Sequence, residues 1–266
     1  MHNAFNEAEF LGIDTFQIFT KNQRQWKEKI IDPAEKTIFK DISKQSNVKT
    51  IFSHASYLVN LATDDSRVQT LTHKSLIGEI QRCEDLGIAY VIIHPGSAKN
   101  TSKETGIKNG IRILKSILHK TKDSSVKILL ENTAGQGSCI GYNFNQLRQL
   151  IDGVGSTRMG ICFDTCHAFA AGYDIRTKNG FETTMEELDA TVGLNALYAI
   201  HLNDSKGTLG SKLDRHEHIG KGKIGLEPFK QIMITLKHIP KILETPKEKH
   251  MDAKNLNVLR GLIEDV

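Results

Sequence analysis

The sequence predicts an α/β chain, a TIM-type (β/α) barrel with seven of the usual eight strands present. Three observations predict it. First, six short apolar runs each lead into a histidine or an acid: Thr50 to Ser53 before His54, Tyr90 to Ile93 before His94, Lys127 to Leu130 before Glu131, Met159 to Phe163 before Asp164, Leu197 to Ile200 before His201, and Pro240 to Leu243 before Glu244. Second, the runs are rich in Ile, Leu, Val and aromatics, as strands buried on both faces are. Third, successive run ends lie roughly 33 to 43 residues apart, room for a loop, a helix and a turn. That is the βα period of a barrel whose functional groups gather at the C-terminal strand ends.

The elements follow in order. Asn3 to Leu11 reads as a helix with Gly12 past its end. Asp14 to Phe19 is the seventh strand, the one that ends on no ligand-type residue. Asp32-Pro33 starts a helix to about Gln45, Ser66 to Leu86 is a long helix closed by Gly87, and Ser102 to Lys120 is another. Pro95-Gly96-Ser97 is a tight turn. Phe144 to Ile151, Thr183 to Val192, Glu227 to Lys237 and Asn255 to Asp265 complete the helices; Ala168 to Asp174 is given no element, and a long polar loop follows His201.

The chain has 266 residues, the size of one barrel, and no Pro-, Gly- or Ser-rich linker divides it, so 1–266 reads as a single domain. Net charge is +4, which permits a nucleic-acid partner without requiring one. The four cysteines, Cys83, Cys139, Cys162 and Cys166, form no CxxC pair and are expected as reduced thiols. No apolar signal core or membrane-length segment is present, so the expectation is a soluble cytoplasmic protein with no membrane partner.

The strand ends carry the chemistry. Asp164 followed by His167 reads either as a helix N-cap or as two metal ligands. Asp214 and His216, two apart in a polar loop, fall on one side of an extended backbone. With His54, His94, Glu131, His201 and Glu244 this makes five His, two Asp and two Glu. Nine nitrogen and oxygen donors exceed what one ion takes, so two or three ions sharing a carboxylate fit better. Mixed imidazole and carboxylate donors suit Zn²⁺, Mn²⁺ or Fe²⁺ rather than Mg²⁺ or Ca²⁺. Several ions together suit phosphoryl chemistry: one lowers the pKa of a water while two clamp attacking and leaving oxygens. The residues alone thus point to a multi-metal phosphoester hydrolase. The loop Thr20 to Trp26, with Lys21 and Arg24, is either solvated or a nucleic-acid contact, and Tyr57 is either a core anchor or a stacking group. Lys221 in Gly220-Lys221-Gly222-Lys223 suits a phosphate.

Several long motifs carry a resemblance: His54-Ala-Ser-Tyr57-Leu-Val-Asn60-Leu, His94-Pro-Gly-Ser, Glu131-Asn-Thr-Ala-Gly-Gln-Gly, Asp164-Thr-Cys-His167-Ala-Phe-Ala-Ala-Gly-Tyr-Asp174, His201-Leu-Asn-Asp204, Asp214-Arg-His216 and Leu243-Glu244-Thr. Together they resemble the endonuclease IV family of class II apurinic/apyrimidinic endonucleases over nearly the whole chain. The resemblance implies three zinc ions, with Mn²⁺ able to occupy some sites. His54, His94 and Glu131 would hold the first. Glu131 would bridge to a second held by Asp164, His201 and Glu244. His167, Asp214 and His216 would hold the third. It implies hydrolysis of the phosphodiester 5′ to an abasic site in duplex DNA and trimming of blocked 3′ ends, with Glu131, Glu244 and Asp164 acting through the metals. It places Arg24 and Tyr57 in the minor groove around an extruded sugar. A monomer is expected.

Family members begin with a strand containing a Gly-Ala-His-Val-Ser-like segment, whereas this sequence starts in what matches the first helix. The expectation is a chain truncated at its N-terminus relative to the family. The strands at 14–19 and 240–243 would then have open edges, and stability would be lower. Two alternatives stand beside the nuclease. A sugar isomerase of the same barrel type would need fewer ligands, and a damage-binding protein that no longer cuts would not need nine.

Overall fold

A computed structural model describes residues 1–264. Its sheet has seven strands, β1 (Thr15–Ile18), β2 (Thr50–His54), β3 (Tyr90–Ile93), β4 (Lys127–Glu131), β5 (Met159–Asp164), β6 (Leu197–His201) and β9 (Lys241–Ile242), in the order β1-β2-β3-β4-β5-β6-β9. A short antiparallel hairpin, β7 (Asp204–Ser205) with β8 (His216–Glu217), stands apart from it. The helices are α1 (Asn3–Leu11), α2 (Pro33–Gln45), α3 (Ser66–Leu86), α4 (Lys103–Lys120), α5 (Phe144–Val154), α6 (Thr165–Ala171), α7 (Lys178–Thr191), α8 (Glu227–Thr235) and α9 (Met251–Gly261).

The helix ends follow the local chemistry of the sequence. Asp32, Asp65 and Ser102 each accept a main-chain N–H in the first turn of α2, α3 and α4, which satisfies otherwise orphaned donors. Gly12 and Gly87 close α1 and α3 in the left-handed conformation.

The chain clusters into two compact units. The first comprises Met1–Leu130 with Gln149–Gly160 and the second Glu131–Arg148 with Ile161 onward. In the first unit, β1 to β4 run parallel and in register, Thr15 beside Thr50, Ser53 beside Val91, Ile93 beside Leu130. Phe39, Phe52, Leu76, Ile80, Val91 and Ile128 are buried around them. In the second unit β5, β6 and β9 are parallel, with a register shift at Ile161/Cys162, and Asp164 lies beside His201. Phe163, Phe169, Ile200 and Phe229 are buried there, and Tyr173 stacks on Phe144 at 4.4 Å. None of the four cysteines is in a disulfide. Among the described residues no helix is long and apolar enough to cross a membrane.

Three expectations change, and one stretch left without an element gains one. The residues after Asp164 form helix α6; all but one of them are buried, so no polar face marked it in the sequence. Helix α7 starts at Lys178 rather than Thr183, because Thr177 caps it through the Gly180 N–H, ahead of two weak helix formers. Helix α9 starts at Met251 rather than Asn255, with no side-chain cap to announce it. The expected end of that helix, Asp265, lies outside the described residues. The polar loop after His201 contains the hairpin, whose strands are only two residues each.

Candidate metal centre

In the first unit, β2 ends on buried His54, and His94 follows β3 directly. Their rings meet edge to face, centroids 5.4 Å apart. Ile93 pairs with Leu130, so the next residue of β4 after that pair is Glu131.

Among the described residues of the second unit three overlapping donor sets form, one of them joining Cys166 to Asp164 and His216. Glu131, Asp164, His201 and Glu244 present ligand-type atoms within 4.8 Å of one another, and so do His167, Asp214 and His216. His201 Nδ1 is 3.1 Å from both Glu131 Oε1 and Glu244 Oε2. Glu131, Asp164 and His201 are wholly buried. In the His167 set, Asp214 Oδ1 lies 3.2 Å from His167 Nε2 and 3.4 Å from His216 Nε2, and those two nitrogens are 3.4 Å apart.

Hydrogen bonding fixes which ring nitrogen is available. Nδ1 of His54, His167 and His216 each faces a main-chain carbonyl, of Ala55 (2.7 Å), Asn132 (2.9 Å) and Glu244 (3.0 Å). A carbonyl only accepts, so Nδ1 carries the hydrogen and Nε2 is left as the donor to a cation, the arrangement that orients metal-binding histidines. The Nε2 atoms of His167 and His216 then face a carboxylate and each other, which requires a proton or a cation between them. His167 shows the demand for positive charge. Burial lowers its imidazolium pKa, but Asp164, Asp214 and Glu131 outweigh burial and leave it well above the ordinary value. At His201 burial is likewise outweighed, by Cys162, Glu244 and Glu131. Imidazole nitrogens and carboxylate oxygens packed this way fit borderline divalent ions such as Zn²⁺, Mn²⁺ or Fe²⁺.

Asp164 is the N-cap of α6, through one oxygen, and its other oxygen faces the donor set. Oδ1 accepts from the His167 N–H at 2.7 Å and caps α6. Oδ2 accepts from Asn203 Nδ2 at 2.7 Å and lies 3.8 Å from His216 Nε2.

With this geometry in hand, the chain can be set beside known proteins. The family model described as Xylose isomerase-like TIM barrel (AP_endonuc_2) matches residues 5–262. "Probable endonuclease 4" of Geobacter sp. (strain M21) is 45% identical over 272 residues, spanning 99% of this chain and 95% of the relative. The chain belongs to the endonuclease IV family. Its fold is the TIM barrel of that family, and it is an enzyme. "Probable endonuclease 4" of Aquifex aeolicus (strain VF5) is 40% identical, covering 98% of this chain and 93% of its own length. The crystal structure of endonuclease IV from Thermus thermophilus superposes with a TM-score of 0.88 at 37% identity, covering 100% of this chain and 94% of that one. A D-tagatose 3-epimerase-like protein, 23% identical with a TM-score of 0.72 over 96% of this chain and 90% of its own, shares the fold alone.

The residues that sequence reasoning directs to the DNA of an endonuclease IV fare differently. Arg24 is exposed, on a loop whose turn is held by Asn22 Oδ1 accepting from the Arg24 N–H. Tyr57 is 56% exposed, although its ring rests on Phe19 and His54, so it is both anchored and exposed. Lys221 is exposed, on a loop folded over buried Asp204, whose carboxylate accepts from the N–H groups of Ser205, Gly222 and Ile224. Lys21 is a correction. It is only 6% exposed and its ammonium sits 2.7 Å from Glu28, so it is not free to meet a phosphate.

Two functional residues were quoted in the motifs but given no role. The side chain of Asn132 bonds both main-chain groups of Asp164, at 2.7 and 3.0 Å. Asn203 joins Asp164 to the Glu244 N–H, which its Oδ1 accepts at 2.9 Å. Their only sequence signal is position: each lies one or two residues past a ligand-type strand end.

Proposed function

We propose that this chain is a zinc-dependent deoxyribonuclease that hydrolyses the phosphodiester 5′ to an abasic site in duplex DNA and trims blocked 3′ ends. The observation that carries the reading is the paired nitrogens of His167 and His216 facing Asp214, next to a second set of carboxylates around His201, in which Glu131 and Asp164 are wholly buried and Glu244 part-buried. So much converging negative charge and so many lone pairs have no structural use without cations. The names of the 40–45% identical relatives support the nuclease class.

Glu131, Asp164, His201 and Glu244 would hold one ion and His167, Asp214 and His216 another, while His54 and His94 would serve a third. Bound there, such ions supply Lewis acidity toward a phosphodiester and toward water. The protein's part is to hold and orient. Main-chain carbonyls fix three imidazoles, Asn203 and Asn132 fix Asp164, and burial excludes bulk water from Glu131 and His201. Arg24, Tyr57 and Lys221 meet the duplex, the two cations on phosphates.

The test is incision of a duplex oligonucleotide with one synthetic abasic site, with an undamaged duplex and a chelator-stripped enzyme as controls. The expected result is cutting on the 5′ side of the abasic site only, lost with the metal, by protein containing about three zinc ions per chain. A folded, metal-loaded chain that binds but never cuts that duplex would replace the nuclease with a damage-binding protein.

A further inference from the structure

The loop between β1 and α2 has no helix or strand of its own, yet buried charge ties it down. Thr20 and Lys21 are buried. The carboxylate of Glu28, in the same loop, is shared by two cations: Lys21 Nζ lies 2.7 Å from Oε1 and Arg82 Nη1 2.6 Å from Oε2. Arg82, on α3, also donates from Nε to Thr20 Oγ1 and from Nη2 to Glu79 Oε2, each at 2.7 Å. Thr20 Oγ1 donates to Glu79 Oε1 at 2.6 Å, and Ser53 Oγ of β2 donates to that same oxygen. Lys21 and Arg82 balance Glu28 and Glu79, so the network is electrically neutral. Charge buried in this way adds little net stability compared with apolar packing but selects one geometry.

What emerges from the network is a short exposed stretch carrying Arg24. Its other side is pinned by Ser56 Oγ, which donates to the Gln23 carbonyl at 2.8 Å. Arg24 and Tyr57 are therefore each one residue along from a hydrogen-bonded pair. We propose that the Lys21–Glu28–Arg82–Glu79 network is a seat that holds this loop on α3, so that Arg24 and Tyr57 meet the duplex in one preorganised arrangement. Glu28, Glu79 and Arg82 are then positioning residues for substrate binding. The proposal rests on the nuclease reading above and goes beyond it. A loop ordered before binding spares the complex the cost of ordering it.

Gly78, inside α3, offers a probe that removes no charge. A Cβ there would meet Glu28 Oε2 at 2.6 Å and Arg82 Nη1 at 3.2 Å, while alanine is the better helix former. The experiment compares the full metal-loaded chain with its Gly78→Ala and Glu28→Gln variants by steady-state incision of the abasic duplex, duplex-binding anisotropy, metal content and trypsin cleavage after Arg24 and Lys27. Each variant is expected to raise KM about tenfold with kcat within about twofold, to keep its metal, and to be cut faster in the loop. A freed loop with unchanged KM overturns the proposal, as does a raised KM with loop cleavage unchanged, or a fall in kcat alone. If the parent chain does not cut the abasic duplex, the nuclease reading has failed by itself. Anisotropy and trypsin then decide the seat: a freed loop with weakened duplex binding supports it, and either one without the other overturns it.

Discussion

Asn203 bears no charge, yet both ends of its amide are committed to the centre, one to Asp164 Oδ2 and one to the main chain of Glu244. Were Asp164 and Glu244 to hold a metal, Asn203 would orient both of them. Asn203→Ala is expected to lower metal affinity or incision about 10- to 100-fold. Metal titration and single-turnover cutting read it, and a variant unchanged in both would leave Asn203 without that role. Cysteine reactivity is a second test at this scale. Burial pushes the Cys162 and Cys166 thiols up to about 12 and holds Cys83 well above its ordinary value, while Cys139 is only part-buried. Only thiolate reacts, and only where reagent reaches it. Ellman's reagent is expected to titrate one thiol, Cys139, in the native protein and all four in denaturant. Rapid native reaction of a second thiol would contradict the burial of the strand β5 and helix α6 cysteines.

At the scale of elements, α3 does more than cover the sheet. Its Glu79 and Arg82 are 2% and 4% exposed, and they join β2 to the loop after β1. Removing one partner of a buried ion pair strands the other, so Glu79→Ala is expected to cost about 3–5 kcal/mol, measured by urea unfolding. A cost near that of a surface substitution would mean that water reaches Arg82. Most elements were legible because their signals are local. Asp65 and Gly87 bracket α3, and Asp32 with Pro33 opens α2. Helix α6 and the β7/β8 hairpin were not. The first shows no polar face, and the second pairs strands of only two residues, too short to show an alternating pattern, held by bonds such as Lys206 N–H to Arg215 O.

At the scale of the whole molecule, the proposed metals and pH would act on the same groups. In the metal-free chain, His167 and His201 hold protons more tightly folded than unfolded. Their contribution to stability is present in full below the unfolded value of 6.5 and is lost as pH rises from there through the raised folded values. The melting temperature of chelated protein is therefore expected to fall as pH rises above 6.5. Loaded protein is expected to lack that fall, since a cation replaces the protons. A chelated protein with a flat melting profile would show that the imidazoles are not held by their carboxylates.

The sequence by itself determined which residues end the strands and what chemistry they offer. Periodicity, caps and short apolar runs are written in neighbouring residues, and a parallel sheet brings the ends of its strands to one edge. Only the tertiary structure decided what each side chain is free to do. Lys21 and Arg24 stand three apart in one polar loop and look alike in sequence, but Glu28 and Arg82 enclose one and leave the other exposed. That Asp164 caps α6 with one oxygen while its other accepts from Asn203 could not be read from its neighbours in sequence. Asn132 and Asn203 acquired their roles from atoms 32 and 39 residues away. The reason is the same in each case: a hydrogen bond or ion pair depends on distance in space, and distant parts of the chain set that distance.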